Sequence, residues 1–283
     1  MGHRFSLAHL TVMGCPPPEM THIAARAGYD FVSFRLIPMG VPGEPQYLPG
    51  DASLMRATKA ALRQTGLRVL DLEVASIRED VEPASYAPAM EAAAEMGAGH
   101  VIASAWTREG TDRNFIVDRY AEICDRARPF GLTVDLEFPL FSRLKTLGET
   151  VDVVRAADRP NGGVLIDALY YHFARVSLDE IDALPRSWLH FLHVCDTKAA
   201  IPATGEAMKH VARDERLYVG EGCIDFAGLL ARLPPIPLSI ELPNAQRVKE
   251  LGYAGHARRC LETARAALDP DFHRNARPAG AAG

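Results

Sequence analysis

Eight short runs rich in Val, Ile, Leu and Phe recur along the chain, each followed by a helical pattern or by a loop leading into one. This alternation narrows the available folds more than any other feature. Parallel strands need crossover connections long enough to hold a helix, so a strand–helix alternation reads as parallel sheet. The runs fall at residues 5–11, 30–36, 68–74, 100–105, 132–137, 163–167, 188–193 and 237–242. Eight such units in 283 residues match the α/β class and a single (β/α)8 TIM barrel, which takes about 250 residues with trimmings. The expected barrel domain spans 1–268. A Pro/Ala/Gly/Arg-rich tail, 269–283, is expected to be flexible.

The segments between the runs read as helices with recognisable ends. Pro16-Pro17-Pro18-Glu19 opens a helix that Gly28 closes, and further helices are expected at 53–65, 84–96, 111–130, 150–157, 177–184 and 245–268. Two connections are longer than a barrel turn requires. The Pro/Gly-rich loop 38–50 could be a lid or a connector, and the charged excursion 197–222 is the better candidate for a loop facing a substrate.

Composition restricts the partners. A formal charge of -5 argues against a general nucleic-acid surface. No stretch approaches 18 uninterrupted apolar residues, so no membrane span is expected, and the amino-terminal residues lack the apolar core of a leader. Five cysteines without a Cys-x-x-Cys pair suggest neither a disulfide framework nor a zinc ribbon. The expected location is cytoplasmic.

The chemistry-bearing residues gather at one end of the expected barrel. Glu137, Asp167, His193 and Glu241 each stand at or near the carboxyl end of a run, and that end is where barrels build their sites. Each alone could cap the following helix or pair with an arginine. Together, three carboxylates and an imidazole suit a divalent cation, Mn²⁺ or Mg²⁺ first, with Co²⁺ or Zn²⁺ also compatible. Arg35 and Glu73, at the ends of the second and third runs, would face the same mouth or pair with each other. Trp106 and His9 could wall a pocket there. Asp196, three residues past His193, reads as an orienter of ligands rather than a ligand, and His190 as a packed histidine on the other side of its strand.

The set Leu-Glu-Phe at 136–138, Leu-Ile-Asp at 165–167, Leu-His-Val-Cys-Asp at 192–196, Gly-Glu-Gly-Cys-Ile-Asp-Phe at 220–226 and Ser-Ile-Glu-Leu at 239–242 resembles the xylose isomerase-like TIM-barrel superfamily. It is most similar to the sugar phosphate isomerase/epimerase branch. The resemblance implies one divalent metal held by Glu137, Asp167, His193 and Glu241. It also implies that Glu137 and Glu241 exchange a proton with a small polyhydroxylated ketone or aldehyde through an enediolate. Related dehydratases, acting on an inosose or on 3-dehydroshikimate, expel a β-hydroxyl from the same enolate, and the ligand set does not separate the two outcomes. A non-catalytic metabolite-binding barrel is a third reading.

His172 and Arg175 follow Asp167 as Asp-x-x-x-x-His-x-x-Arg, whereas the family often places the His three residues after the Asp, where this chain has Tyr170. Both are carried as substrate contacts. Arg213 and Arg216 stand in a loop resembling one that closes over the site in relatives, where they could grip a carboxylate or phosphate. Barrel-type AP endonucleases share the fold but need extra metal-binding histidines and a basic face, which this chain lacks. Relatives are often dimers or tetramers, so a homo-oligomer is an expectation as well.

Overall fold

The computed structural model describes residues 2–269, so the expectation for the tail falls outside them except at Asp269. Nine strand segments form one sheet: β1 (Phe5–Leu7), β2 (Phe31–Arg35), β3 (Arg68–Ile77), β4 (His100–Ala105), β5 (Thr133–Glu137), β6 (Gly162–Val164), β7 (Ile166–Asp167), β8 (Leu192–Val194) and β9 (Leu238–Ile240). Their order is β6-β5-β4-β3-β2-β1-β9-β8-β7, and every pairing is parallel. β6 and β7 are separated only by Leu165, whose N–H donates to the Leu136 carbonyl at 3.0 Å. One stave thus reaches β5 with its first half and β8 with its second, which closes eight staves into a TIM barrel.

The helices are α1 (Pro17–Ala27), α2 (Ala52–Thr65), α3 (Ala87–Glu95), α4 (Arg113–Ala127), α5 (Leu147–Ala157), α6 (Ala168–Phe173), α7 (Leu178–Asp182), α8 (Gly205–Asp214), α9 (Phe226–Leu230) and α10 (Ala245–Leu268). Local chemistry sets their ends. Gly28 stops α1 at φ 94°, a left-handed backbone that costs glycine nothing. Thr146 with Glu149 and Ser177 with Glu180 form reciprocal caps at the starts of α5 and α7, each satisfying amide donors that a helix start leaves unpaired. Around the barrel, α10 packs on α1, α1 on α2, and α4 on α5.

Several elements differ from the sequence expectation. The first run is a strand only through Leu7; a 3-10 turn, His9–Val12, follows, fixed by Thr11 Oγ1 donating to the Ile240 carbonyl at 2.7 Å. The helix expected at 84–96 starts as a 3-10 turn, Pro83–Tyr86, and the one at 111–130 ends as another, Arg128–Phe130. The excursion 197–222 contains α8, and the seventh run pairs only over Leu192–Val194, leaving His190 ahead of the strand.

Two apolar regions hold the fold. One is the continuous core between staves and helices; the other, Phe31, Leu70, Val74, Ile102, Leu165 and Phe191, fills the barrel's interior. Each large apolar side chain removed from water contributes about 1.5–3 kcal/mol. The interior cluster is a plug on which the site at the carboxyl end rests. No helix among the described residues is long and apolar enough to cross a membrane.

Candidate functional site

Glu137 ends β5, Asp167 ends β7, His193 lies in β8, and Glu241 follows β9 directly. Parallel register brings them level: Asp167 pairs with His193, and the Glu241 N–H donates to the Val194 carbonyl at 3.2 Å. His193 Nδ1 lies 3.5 Å from Glu137 Oε1, 3.7 Å from Asp167 Oδ2 and 3.5 Å from Glu241 Oε2. One donor atom from each of the four falls within 4.8 Å of all the others.

The electrostatics of this cluster are unbalanced without a cation. Both His193 ring nitrogens and Glu137 Oε1 are buried without a hydrogen-bond partner, an arrangement that costs free energy in a protein interior. Arg216 pairs with two of the three carboxylates, and the other buried arginine nearby, Arg35, is paired with Glu73, so a bound divalent cation would cancel the two negative charges that remain. The residues present therefore fit such an ion. With none bound, burial, reinforced by repulsion from Glu241 and Asp167, pushes the Glu137 carboxyl up to about 7. Burial also opposes the ionised form of Glu241, but His193 and Arg216 outweigh it and hold that carboxyl well below the usual range. For His193, burial disfavours the charged ring, yet the surrounding carboxylates raise it well above the ordinary imidazole value.

Arg216 is placed behind the cluster rather than in the cavity in front of it. Its guanidinium is fully buried, with Nη1 2.7 Å from Asp167 Oδ2 and Nη2 2.8 Å from Glu241 Oε2. Nη1 also donates to the Glu241 carbonyl at 3.1 Å, Nε donates to the Ala212 carbonyl at 2.8 Å, and the group lies over the Tyr170 ring at 5.6 Å. The chain after α8 is sewn in place by Asn244, whose Nδ2 donates to the Arg216 carbonyl at 3.0 Å. The segment that follows is held by Asp196, whose carboxylate accepts from the amides of Gly220, Gly222 and Ile224. A Cβ on Gly222 would lie 2.2 Å from Asp196 Oδ1, so only glycine admits that contact. Asp196 thus orients a loop rather than the cluster.

A cavity of about 50 Å³ opens in front of Glu137, His193 and Glu241 and is also lined by Arg35, Trp106 and Arg213. Its aromatic wall continues from Trp106 to Phe141 at 5.8 Å and from Phe141 to Tyr170 at 5.8 Å. Sequence reasoning missed Phe141 and Tyr170 as wall residues, although Tyr170 occupies the place where relatives often carry a histidine. Arg35 pairs with Glu73 at 3.2 Å, and Glu73 accepts from the His9 amide at 3.0 Å. His9 has no free ring atom: Nδ1 accepts from the Arg35 amide at 2.9 Å, and Nε2 meets the Cys15 carbonyl at 3.0 Å. Glu73 and His9 therefore support Arg35 and do not line the cavity. Burial holds His9 at about 4, well below the ordinary imidazole value.

Glu44, from the loop between β2 and α2, reaches both Arg35 at 3.4 Å and Arg213 at 3.5 Å. It ties that loop to the last turn of α8 across the mouth. His172 and Arg175 lie elsewhere. They line a separate cavity of about 610 Å³ with Cys223 and Asp225, and the His172 ring meets Cys223 Sγ at 3.8 Å. Their side chains leave the barrel mouth because α6 turns away immediately after Asp167, which caps it by accepting from the Leu169 amide at 2.7 Å. Deeper in the barrel, Asp71 accepts a hydrogen bond from Ser33, and burial, with Glu73 nearby, pushes its carboxyl up to about 8.

Known proteins share this architecture. Residues 22–264 match the xylose isomerase-like TIM barrel family. An inosose isomerase of Bacillus subtilis (strain 168) is 22% identical over 151 residues, 53% of this chain and 52% of the relative. One from Halalkalibacterium halodurans is 24% identical over 141 residues, 49% of this chain and 43% of the relative, so the match spans about half the length of these curated relatives. Among solved structures, the IolI protein with a bound zinc atom superimposes with a TM-score of 0.76 at 18% identity, covering 94% of this chain and 98% of that one. With its parallel closed barrel and its match over residues 22–264, the chain belongs to the xylose isomerase-like TIM-barrel family.

Proposed function

We propose that this protein is a divalent-metal-dependent isomerase or epimerase of a small sugar, sugar phosphate or related polyhydroxy ketone. The observation that carries the reading is the convergence of Glu137, Asp167, His193 and Glu241 on one point at the floor of an aromatic-walled cavity. In this reading the four side chains hold the metal, Mn²⁺ or Mg²⁺ first. Bound there, the ion would supply Lewis-acid polarisation of the substrate's carbonyl and neighbouring hydroxyl oxygens.

The chain's own residues do the rest. Glu137 and Glu241, from staves that do not touch each other, take and return the proton at the carbon beside the carbonyl. Asp167 and His193 would hold the metal with them. Arg216 fixes the Asp167 and Glu241 carboxylates in direction. Arg35 and Arg213 bind substrate oxygens at the mouth, Trp106 packs on its carbon face, and the loop carrying Glu44 closes behind it, excluding water from the reacting carbon. A cytoplasmic location agrees with five cysteines that are all free.

The test is proton exchange in D₂O, followed by NMR, against ketoses, ketose phosphates, inososes and 3-dehydroshikimate with added Mg²⁺. Exchange beside the carbonyl without loss of water supports the isomerase or epimerase reading. Release of water would make the protein a dehydratase. Ligand binding without any exchange, and indifferent to metal, would make it a binding protein.

A further inference from the structure

We propose that the amino-terminal end of the barrel carries a second divalent-cation site, built from His100, Asp135 and His190 and suited to a transition metal such as Zn²⁺ or Co²⁺. His100 opens β4, Asp135 lies within β5, and His190 stands two residues before β8. One donor atom from each lies within 4.8 Å of the other two.

This cluster is distinct from the one at the carboxyl end. Asp135 precedes Glu137 by two residues on the same strand, so both point to the interior, with Asp135 about 7 Å nearer the amino end. The interior plug lies between them. Its Phe191 ring is 5.3 Å from the His100 ring on one side and 5.6 Å from the His193 ring on the other.

The donors are already arranged around one carboxylate. His190 Nδ1 is 2.6 Å from Asp135 Oδ1, and His100 Nδ1 is 3.8 Å from Asp135 Oδ2. The two imidazoles stack with centroids 5.5 Å apart and planes 20° apart, so both turn the same ring edge toward Asp135. Thr133 Oγ1 donates to Asp135 Oδ2 at 3.0 Å and lies 2.7 Å from His100 Nδ1. A hydrogen bond of this kind fixes the direction of a metal-binding carboxylate. The room for the arrangement comes from Gly163, where a Cβ would lie 2.5 Å from Asp135 Oδ1 and 2.8 Å from the His190 ring.

Access and chemistry agree with an ion rather than an organic ligand. Each histidine side chain is 19% exposed while Asp135 is 1% exposed, so the cluster lies at the edge of solvent with its carboxylate innermost. Two imidazoles and one carboxylate, with open positions left for water, form a donor set that Zn²⁺ accepts and that Mg²⁺ does not favour. On binding, the ion replaces the proton that His190 shares with Asp135, and that proton leaves to solvent.

The test is metal stoichiometry. Protein stripped with a chelator is dialysed against Zn²⁺ and the bound metal counted. Two equivalents per chain are expected for the wild type, with one lost in His190→Ala and in His100→Ala. Asp167→Asn should lose the other equivalent independently. A wild type that binds a single equivalent, or two equivalents that survive both histidine substitutions, would overturn the proposal. Because a variant could misfold, ¹¹³Cd NMR of the unsubstituted protein is the second measurement. Two resonances support the second site, and one resonance rejects it.

Discussion

Arg216 Nη1 lies 2.7 Å from Asp167 Oδ2, and neither side chain reaches solvent. The contact places a permanent positive charge behind the candidate metal-binding carboxylates and fixes their direction by hydrogen bonding. Arg216→Met would leave Asp167 and Glu241 buried without that partner. The expected loss in the metal-free protein is about 3–5 kcal/mol, measured by urea unfolding in the presence of a chelator. Added divalent metal should recover part of it, since a ligand that binds only the folded state stabilises it. A loss below about 1 kcal/mol would mean that the bridge carries little.

Substitutions in the quartet should test the metal site and the proton transfer together, because Glu137 and Glu241 belong to both in the proposed reading. If the quartet holds a metal, the wild type should purify with it, and Asp167→Asn and His193→Ala should purify without it. Glu137→Gln and Glu241→Gln should lower turnover by about 10²- to 10⁴-fold, the range for removing a general acid or base. Metal analysis beside steady-state kinetics checks both. Full metal content in His193→Ala would be incompatible with the proposed site.

Arg213 lines the cavity but does not touch the quartet's hydrogen-bond network, so its effect should fall on binding. Arg213→Ala is expected to raise KM by roughly 10- to 100-fold, the worth of about 1.5–3 kcal/mol for a hydrogen bond to a charged group, with kcat little changed. A drop in kcat equal to the rise in KM would assign Arg213 to the reaction itself.

Asp71 gives a pH signature of unusual sign. Its folded carboxyl stands near 8 against an ordinary value of 3.8, because burial disfavours the charge. Between those values the folded state holds a proton that the unfolded state has released, so stability falls as pH rises, by at most about 1.4 kcal/mol per pH unit. Asp71→Asn removes this term. The variant should therefore gain on the wild type progressively from about pH 4 to pH 8, and the difference should level off above that. Chemical denaturation across this range measures it, and parallel curves for the two proteins would contradict the assignment.

The barrel and its four convergent residues were legible because both follow from a one-dimensional pattern. An apolar run ending in Glu137 or Asp167 fixes where that side chain lies once the staves are parallel. Arg216 was not readable in this way. Its partners lie 49 and 25 residues away, and nothing local distinguishes it from Arg213, three residues earlier, which faces the cavity instead. His172 and Arg175 show the same limit, since spacing after Asp167 does not say which way α6 leaves the barrel. α8 hid inside the excursion because its apolar face is short, Met208, Val211 and Ala212 alone, and is set among charged residues that read as a loop. The interruption at Leu165 was invisible too, because one residue between two pairing partners leaves the run's composition unchanged.

The apolar plug of Phe31, Leu70, Val74, Ile102, Leu165 and Phe191 has a kinetic consequence. A filled barrel is a cup and not a tube. A molecule that reaches Glu137 and His193 must leave by the mouth through which it arrived, beneath the same Glu44 loop. If the proposed reaction runs here, product and the next substrate would share one doorway, and each turnover would wait for that doorway to clear before another could begin.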